Sequence, residues 1–152
     1  MTWTIEQRSW SDPAGEALRA AQRSELDARY GRPDHEPGTP PSAGNIDVFL
    51  VAVAPDGTAI GCGALRRLGP ATAEVKRMYV VPPSRGSGVA VALLRALESA
   101  AVERGWTTLR LETGSAQPDA IRFYAREGYR EIPLFGAYVG SDISICYERA
   151  LT

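Results

Sequence analysis

Arg85-Gly86-Ser87-Gly88-Val89-Ala90 is nearly free of bulky side chains and stands between a strand-like run and a helix-like one. Upstream, Glu74 to Val81 is short, β-branched and closed by Pro82-Pro83. Downstream, Val89, Ala92, Leu93, Ala96, Leu97, Ala100 and Ala101 recur at helical spacing. A helix start leaves backbone N–H groups without partners inside the helix, and the helix dipole adds positive potential at the same point. The chemistry on offer is the seating of a phosphate or diphosphate. Glycine also marks ordinary turns, so taken alone the loop leaves that simpler reading open. Other chemistries find less footing. His35 is the only histidine, and Cys62 and Cys146 lie far apart, so no metal centre is expected. No cysteine or serine stands at a recognisable spacing from a base, which argues against a covalent intermediate on the protein.

The elements that must position this loop follow from periodicity and punctuation. Residues 2–9 read as an opening strand with Trp3 and Ile5 on one face. Asp12 as N-cap and Pro13 at the first helical position predict a helix over Pro13 to Tyr30, with Leu18, Ala21, Leu26 and Tyr30 on its apolar side. Gly31 to Asn45 is rich in proline, glycine and small polar residues and reads as a long loop. Three strands follow, Val48–Val53, Thr58–Leu68 and Ala73–Val81, joined by Pro55-Asp56-Gly57 and Gly69-Pro70. Links this short imply an antiparallel meander. The helix that starts at Val89 stops at Gly105, and Trp106–Thr113 is a strand with Leu109, Leu111 and Thr113 on one face. A long helical crossover from Val81 to Trp106 makes those two strands parallel. A helix from Pro118 to Glu127 and strands near Tyr129–Ile132 and Ile143–Ala150 complete the chain. The fold class is α/β: one domain over residues 1–152, a mixed and mostly antiparallel sheet flanked by helices.

Composition bounds the partners. The chain has 152 residues, 44% of them hydrophobic, with a formal net charge of −1, enough for one sizeable core and no general attraction to polyanions. Nucleic acid is therefore not an expected partner. No apolar run approaches the roughly 20 residues that span a bilayer, and the N-terminus lacks a basic-then-apolar order. A cytoplasmic protein with two buried, reduced cysteines is expected.

Two segments carry a resemblance. Val80-Val81-Pro82-Pro83-Ser84-Arg85-Gly86-Ser87-Gly88-Val89-Ala90 resembles the acyl-CoA motif of the GNAT superfamily of N-acetyltransferases, with Arg85, Gly88 and Ala90 at its defining positions. Ala120 to Tyr129, containing Phe123-Tyr124 and Gly128-Tyr129, is similar to the superfamily's later helix and turn. The order of elements matches over nearly the whole chain. One departure is Gln117, where many relatives carry Asn. The resemblance implies that acetyl-CoA is the cosubstrate, its diphosphate held by Arg85, Gly86, Ser87, Gly88, Val89 and Ala90. Its pantetheine arm would pair with the backbone of Met78, Tyr79 and Val80, and the Val80 N–H would face the developing oxyanion.

Acetyl transfer to an amine requires loss of an amine proton and help for the departing thiolate. The resemblance places Tyr124 beside the sulfur as proton donor, with a core tyrosine as the competing reading. Glu74, eleven places before Arg85, stands where some family members carry a catalytic base. Strand alternation puts it on one face with Lys76, Met78 and Val80, and a structural ion pair with Lys76 or Arg77 is the competing reading. Glu112 and ordered water are the other candidates. The acceptor, a primary amine of a small molecule or a peptide, would enter near Tyr30, Asp34, His35, Glu36, Tyr138 and Asp142. The resemblance leaves open a homodimer, and also a non-catalytic acyl-CoA-binding or interaction domain that would have no need of Tyr124.

Overall fold

A computed structural model of the chain describes residues 2–32 and 37–151. The Asp12 carboxylate accepts the Gly15 N–H at 3.0 Å, and Pro13 opens α1, which runs Pro13–Tyr30 and ends on Gly31 in the left-handed conformation. Before it lies β1 (Thr4–Gln7). After it come β2 (Val48–Val53), β3 (Ala59–Arg67) and β4 (Thr72–Val80), then α2 (Val89–Glu103). The remaining elements are β5 (Thr108–Gly114), α3 (Pro118–Arg126), β6 (Arg130–Ile132) and β7 (Ser144–Ala150). Single 3₁₀ turns at Pro82–Ser84 and Gly136–Tyr138 lie outside the expected elements.

The strands form one sheet in the order β1-β2-β3-β4-β5-β7-β6. Every neighbouring pair is antiparallel except β4 and β5, which α2 joins by a crossover and which therefore run parallel. All six residues of β2 are buried because both faces are covered. Val48, Leu50 and Ala52 join the larger core under α2, while Phe49, Val51 and Val53 join a smaller one under α1. Leu93, Leu94 and Leu97 of α2 are wholly buried, each worth roughly 1.5–3 kcal/mol of transfer free energy. Glu98 fastens the same helix: it accepts Arg149 Nη1 at 2.9 Å and the Tyr129 hydroxyl at 2.8 Å, and it pairs with Arg95.

One expectation requires correction. Strict alternation would place Glu74, Lys76, Met78 and Val80 together, but β4 carries a β-bulge. The pairing moves from Ala64↔Lys76 to Cys62↔Tyr79, so Arg77 and Met78 together oppose Gly63, and Arg77 has φ of +58°. The extra residue switches faces. Met78 and Val80 join Ala73 and Val75 in the core beneath α2, while Tyr79 joins the α1 side. Glu74 and Lys76 are left on the face opposite Met78.

Cys62 lies under this bulge and its thiol donates to the Arg77 carbonyl at 3.3 Å. Burial pushes the Cys62 thiol up to about 12, and burial likewise raises Tyr124 and Tyr129 above the ordinary phenol range. Each group is held protonated in the fold, so its contribution is complete below its unfolded pKa and is lost as pH rises toward the folded one. Tm measured against pH is expected to fall from about pH 9, with the onset moving to about pH 10 in Cys62→Ala.

Candidate functional site

Pairing between β4 and β5 stops at Glu74↔Arg110, although β4 continues to Val80 and β5 to Gly114. The bulge at Arg77 turns β4 away while β5 stays paired to β7 along its whole length. Between the parted strands lies a slot of about 110 Å³, walled by Lys76, Met78, Glu112, Thr113, Gln22 and Tyr124. Water occupies about 30 Å³ in the liquid, so the slot suits a group of a few heavy atoms. It opens into a channel between α1 and α3, walled by Leu26, Met78, Val80, Ala120 and Phe123. The channel in turn reaches a hollow bounded by Val80, Arg85, Gly86, Gly88, Ala90 and Phe123. Val80, Arg85, Ala90 and Phe123 are shared by the last two, so hollow and channel adjoin.

The hollow ends at the start of α2. Gly88 caps that helix with φ of +96° and no side-chain hydrogen bond, a conformation that disfavours any residue with a Cβ. Its carbonyl accepts the Ala92 N–H at 3.0 Å, the first bond of the helix. The preceding N–H groups, Val89 to Val91, have no partner inside the helix and carry the positive end of its dipole. Ser87 turns its hydroxyl to the Ser84 carbonyl, and Val89 is buried in the core. Val89 can offer a ligand only its backbone, and the Ser87 hydroxyl has its proton already engaged.

Side chains occupy the strand carbonyls that border the channel. Gln22 Nε2 donates to the Met78 carbonyl at 2.9 Å, and Arg85 Nε donates to the Val80 carbonyl at 2.8 Å. A carbonyl has two lone pairs, so each keeps capacity for a further donor. Across the channel, Arg85 Nη2 bridges to Glu25 of α1 at 2.7 Å. That carboxylate competes for the arginine with any anion arriving at the hollow. Glu25→Gln is expected to tighten CoA binding about two- to five-fold in calorimetry at low salt, an effect that shrinks at high salt as suits an exposed pair.

Tyr124 is 8% exposed, yet it walls both slot and channel. Its hydroxyl has no hydrogen-bond partner among the described residues, and its ring is held edge-on by Phe123 at 5.1 Å and Tyr129 at 5.8 Å. At the far end of the slot, Tyr30 lies across Gly114. A Cβ at that glycine would fall 1.4 Å from the Tyr30 hydroxyl oxygen, so no other residue lets the ring lie there. Gln117 precedes α3 and offers Nε2 to the same hydroxyl at 3.4 Å.

The acidic candidates sit differently. Glu74 is 1% exposed and is not part of the slot wall. Its oxygens accept Arg66 Nη2 at 3.2 Å and the Tyr138 hydroxyl at 2.6 Å, with Lys76 Nζ 3.7 Å away. Lys76, which does reach the slot, donates to the Tyr138 oxygen at 2.9 Å. Glu112 stands on the slot wall and accepts the Ser144 hydroxyl at 2.7 Å. Asp142 lies in the bend before β7, next to Ile143 of the slot wall but not itself part of that wall. Asp34, His35 and Glu36 lie outside the described residues.

The chain has counterparts among known proteins. The model of the Acetyltransferase (GNAT) family matches residues 6–129. This chain belongs to the GNAT acetyltransferase family. An IAA acetyltransferase of Azospirillum brasilense is 34% identical over 106 residues, covering 69% of each chain. An aminoalkylphosphonate N-acetyltransferase of Salmonella typhimurium is 38% identical over 58 residues, 38% of each. A solved structure from Klebsiella pneumoniae, assigned to the acyl-CoA N-acyltransferases, superposes with a TM-score of 0.84 at 33% identity, covering 99% of both chains. A GNAT family acetyltransferase from Elizabethkingia anophelis, solved with acetyl-CoA bound, shares the fold at a TM-score of 0.70 and 17% identity over 97% of both.

Within this GNAT chain, Met78, Tyr79, Val80, Arg85, Gly86, Gly88, Ala90 and Tyr124 border these adjoining hollows. Sequence reasoning passed over Gln22, Thr113 and Gly114. Gln22 had a weak signal in hindsight, a polar side chain between Leu18 and Leu26 on the helix face toward the sheet. Thr113 and Gly114 had none, since a threonine and a glycine closing a strand are commonplace.

Proposed function

We propose that this GNAT protein transfers the acetyl group of acetyl-CoA to a primary amine of a small molecule or peptide, by direct attack in a ternary complex. The observation that carries the reading is the series of adjoining hollows from the bare start of α2 to the slot walled by Tyr124. Acetyl-CoA supplies an acetyl group already activated as a thioester. Backbone N–H groups from Gly86 to Val91 and the Arg85 guanidinium suit a diphosphate, and the edge of β4 from Met78 to Val80 suits an arm carrying amides. The Val80 N–H is assigned to the carbonyl oxygen as it gains charge.

Tyr124 is assigned the proton that the departing sulfur takes. Burial holds its phenol above the ordinary range, so it stays neutral and able to donate throughout the working pH range. Proton removal from the amine is assigned to Glu112, directly or through an ordered water, because Glu112 forms part of the slot wall. Glu74 pairs with Lys76, which lines the slot, and accepts the Tyr138 hydroxyl, so its part is to hold those two side chains in place.

Binding is the first test. Acetyl-CoA at about 100 times its Kd is expected to add about 2.7 kcal/mol and raise Tm by roughly 5–11 °C, and a productive amine is expected to release free CoA thiol above background. No shift in Tm together with no heat in calorimetry would sink the reading.

A further inference from the structure

Thr113 is 4% exposed and walls the slot, and its hydroxyl oxygen is buried without a hydrogen-bond partner among the described residues. A buried hydroxyl left in that state destabilises the fold, so its retention at the reacting end of the cleft calls for an explanation. Strand alternation supplies the direction. Leu109 and Leu111 of β5 belong to the larger core together with Tyr124, and Thr113 is next in the same series. Glu112 belongs to the opposite series. The slot thus has a hydroxyl-bearing side shared by Thr113 and Tyr124 and a carboxylate-bearing side at Glu112.

We propose that the Thr113 hydroxyl donates a hydrogen bond to the carbonyl oxygen of the acyl group, acting as a second oxyanion donor beside the backbone of β4. This rests on the acetyl-transfer reading above. With Tyr124 assigned to the sulfur and Glu112 to the amine, the carbonyl oxygen is the acceptor left for a donor on the Tyr124 side. The hydroxyl requires no proton transfer. It stabilises charge that grows as nitrogen bonds to carbon, and the gain is largest where water is excluded.

The test uses the full chain, acetyl-CoA labelled with ¹³C at the carbonyl, and hydroxylamine as a small nucleophile. In isotope-edited infrared spectra the bound carbonyl band is expected at higher wavenumber in Thr113→Val than in the wild type, with Thr113→Ser restoring the wild-type position. Acetyl-hydroxamate formation is expected to slow about 10- to 100-fold in Thr113→Val, below the full effect of an oxyanion donor because the backbone donor remains. Acetyl-CoA affinity by calorimetry is expected to stay within about two-fold, and Tm to hold or rise because an unsatisfied hydroxyl has gone. An unchanged band in Thr113→Val, or in Thr113→Ala should the valine variant not fold, overturns the proposal even where acetyl-CoA binds normally. Failure of the wild type to bind acetyl-CoA at all would instead overturn the acetyl-transfer reading beneath it.

Discussion

Tyr124→Phe is expected to lower kcat/KM about 10²- to 10³-fold while Tm moves by less than about 2 °C and acetyl-CoA affinity stays unchanged. The phenylalanine keeps the ring that packs edge-on against Phe123 and Tyr129. What is lost is a hydroxyl with no partner among the described residues, so stability has little reason to change. Steady-state kinetics with a productive amine, thermal melts and calorimetry together make the comparison. Because burial raises the phenol above its ordinary range, the wild-type rate is expected to show no loss from this group between pH 7 and 9. Full turnover by the phenylalanine variant would transfer the sulfur's proton to solvent and remove Tyr124 from the chemistry.

The two glutamates are expected to separate just as cleanly. Glu112→Gln keeps the size of the side chain and an oxygen for the Ser144 hydroxyl, and removes the carboxylate from the slot wall. Its kcat/KM is expected to fall about 10²-fold with Tm within about 2 °C of the wild type. Glu74→Gln removes a buried charge from between Arg66 and Lys76, and breaking a buried pair is costly because the partners stay behind without compensation. Tm is expected to drop by about 5–10 °C, with a smaller loss of kcat/KM in the protein that remains folded. A larger catalytic loss in Glu74→Gln at matched folded concentration would return the base to Glu74, acting through Tyr138 and Lys76.

Local signals in the chain were enough to define its elements and their order. Asp12-Pro13 and Gly31 bound α1, short turns set the β2–β3–β4 meander, and the length of the crossover made β4 and β5 parallel. The Arg85–Ala90 loop stood out as a helix start because that is a property of neighbouring residues, whereas the part given to Tyr124 came from the resemblance alone, since helical spacing marks it only as a core-facing tyrosine. What only the tertiary structure decided is which side chains meet in the slot. The bulge at Arg77 has no local signature, yet it moves Met78 and Val80 to the face opposite Glu74 and opens β4 away from β5. Glu74 became part of an ion-paired cluster through Arg66, its cross-strand partner, and Tyr138, sixty-four residues on. Thr113, Gln22 and the Tyr30–Gly114 contact join segments distant in sequence, and no spacing rule connects them. Periodicity reports how a residue faces its own helix or strand. A catalytic slot is made where two strands separate, and the register and twist that separate them are set by the whole sheet.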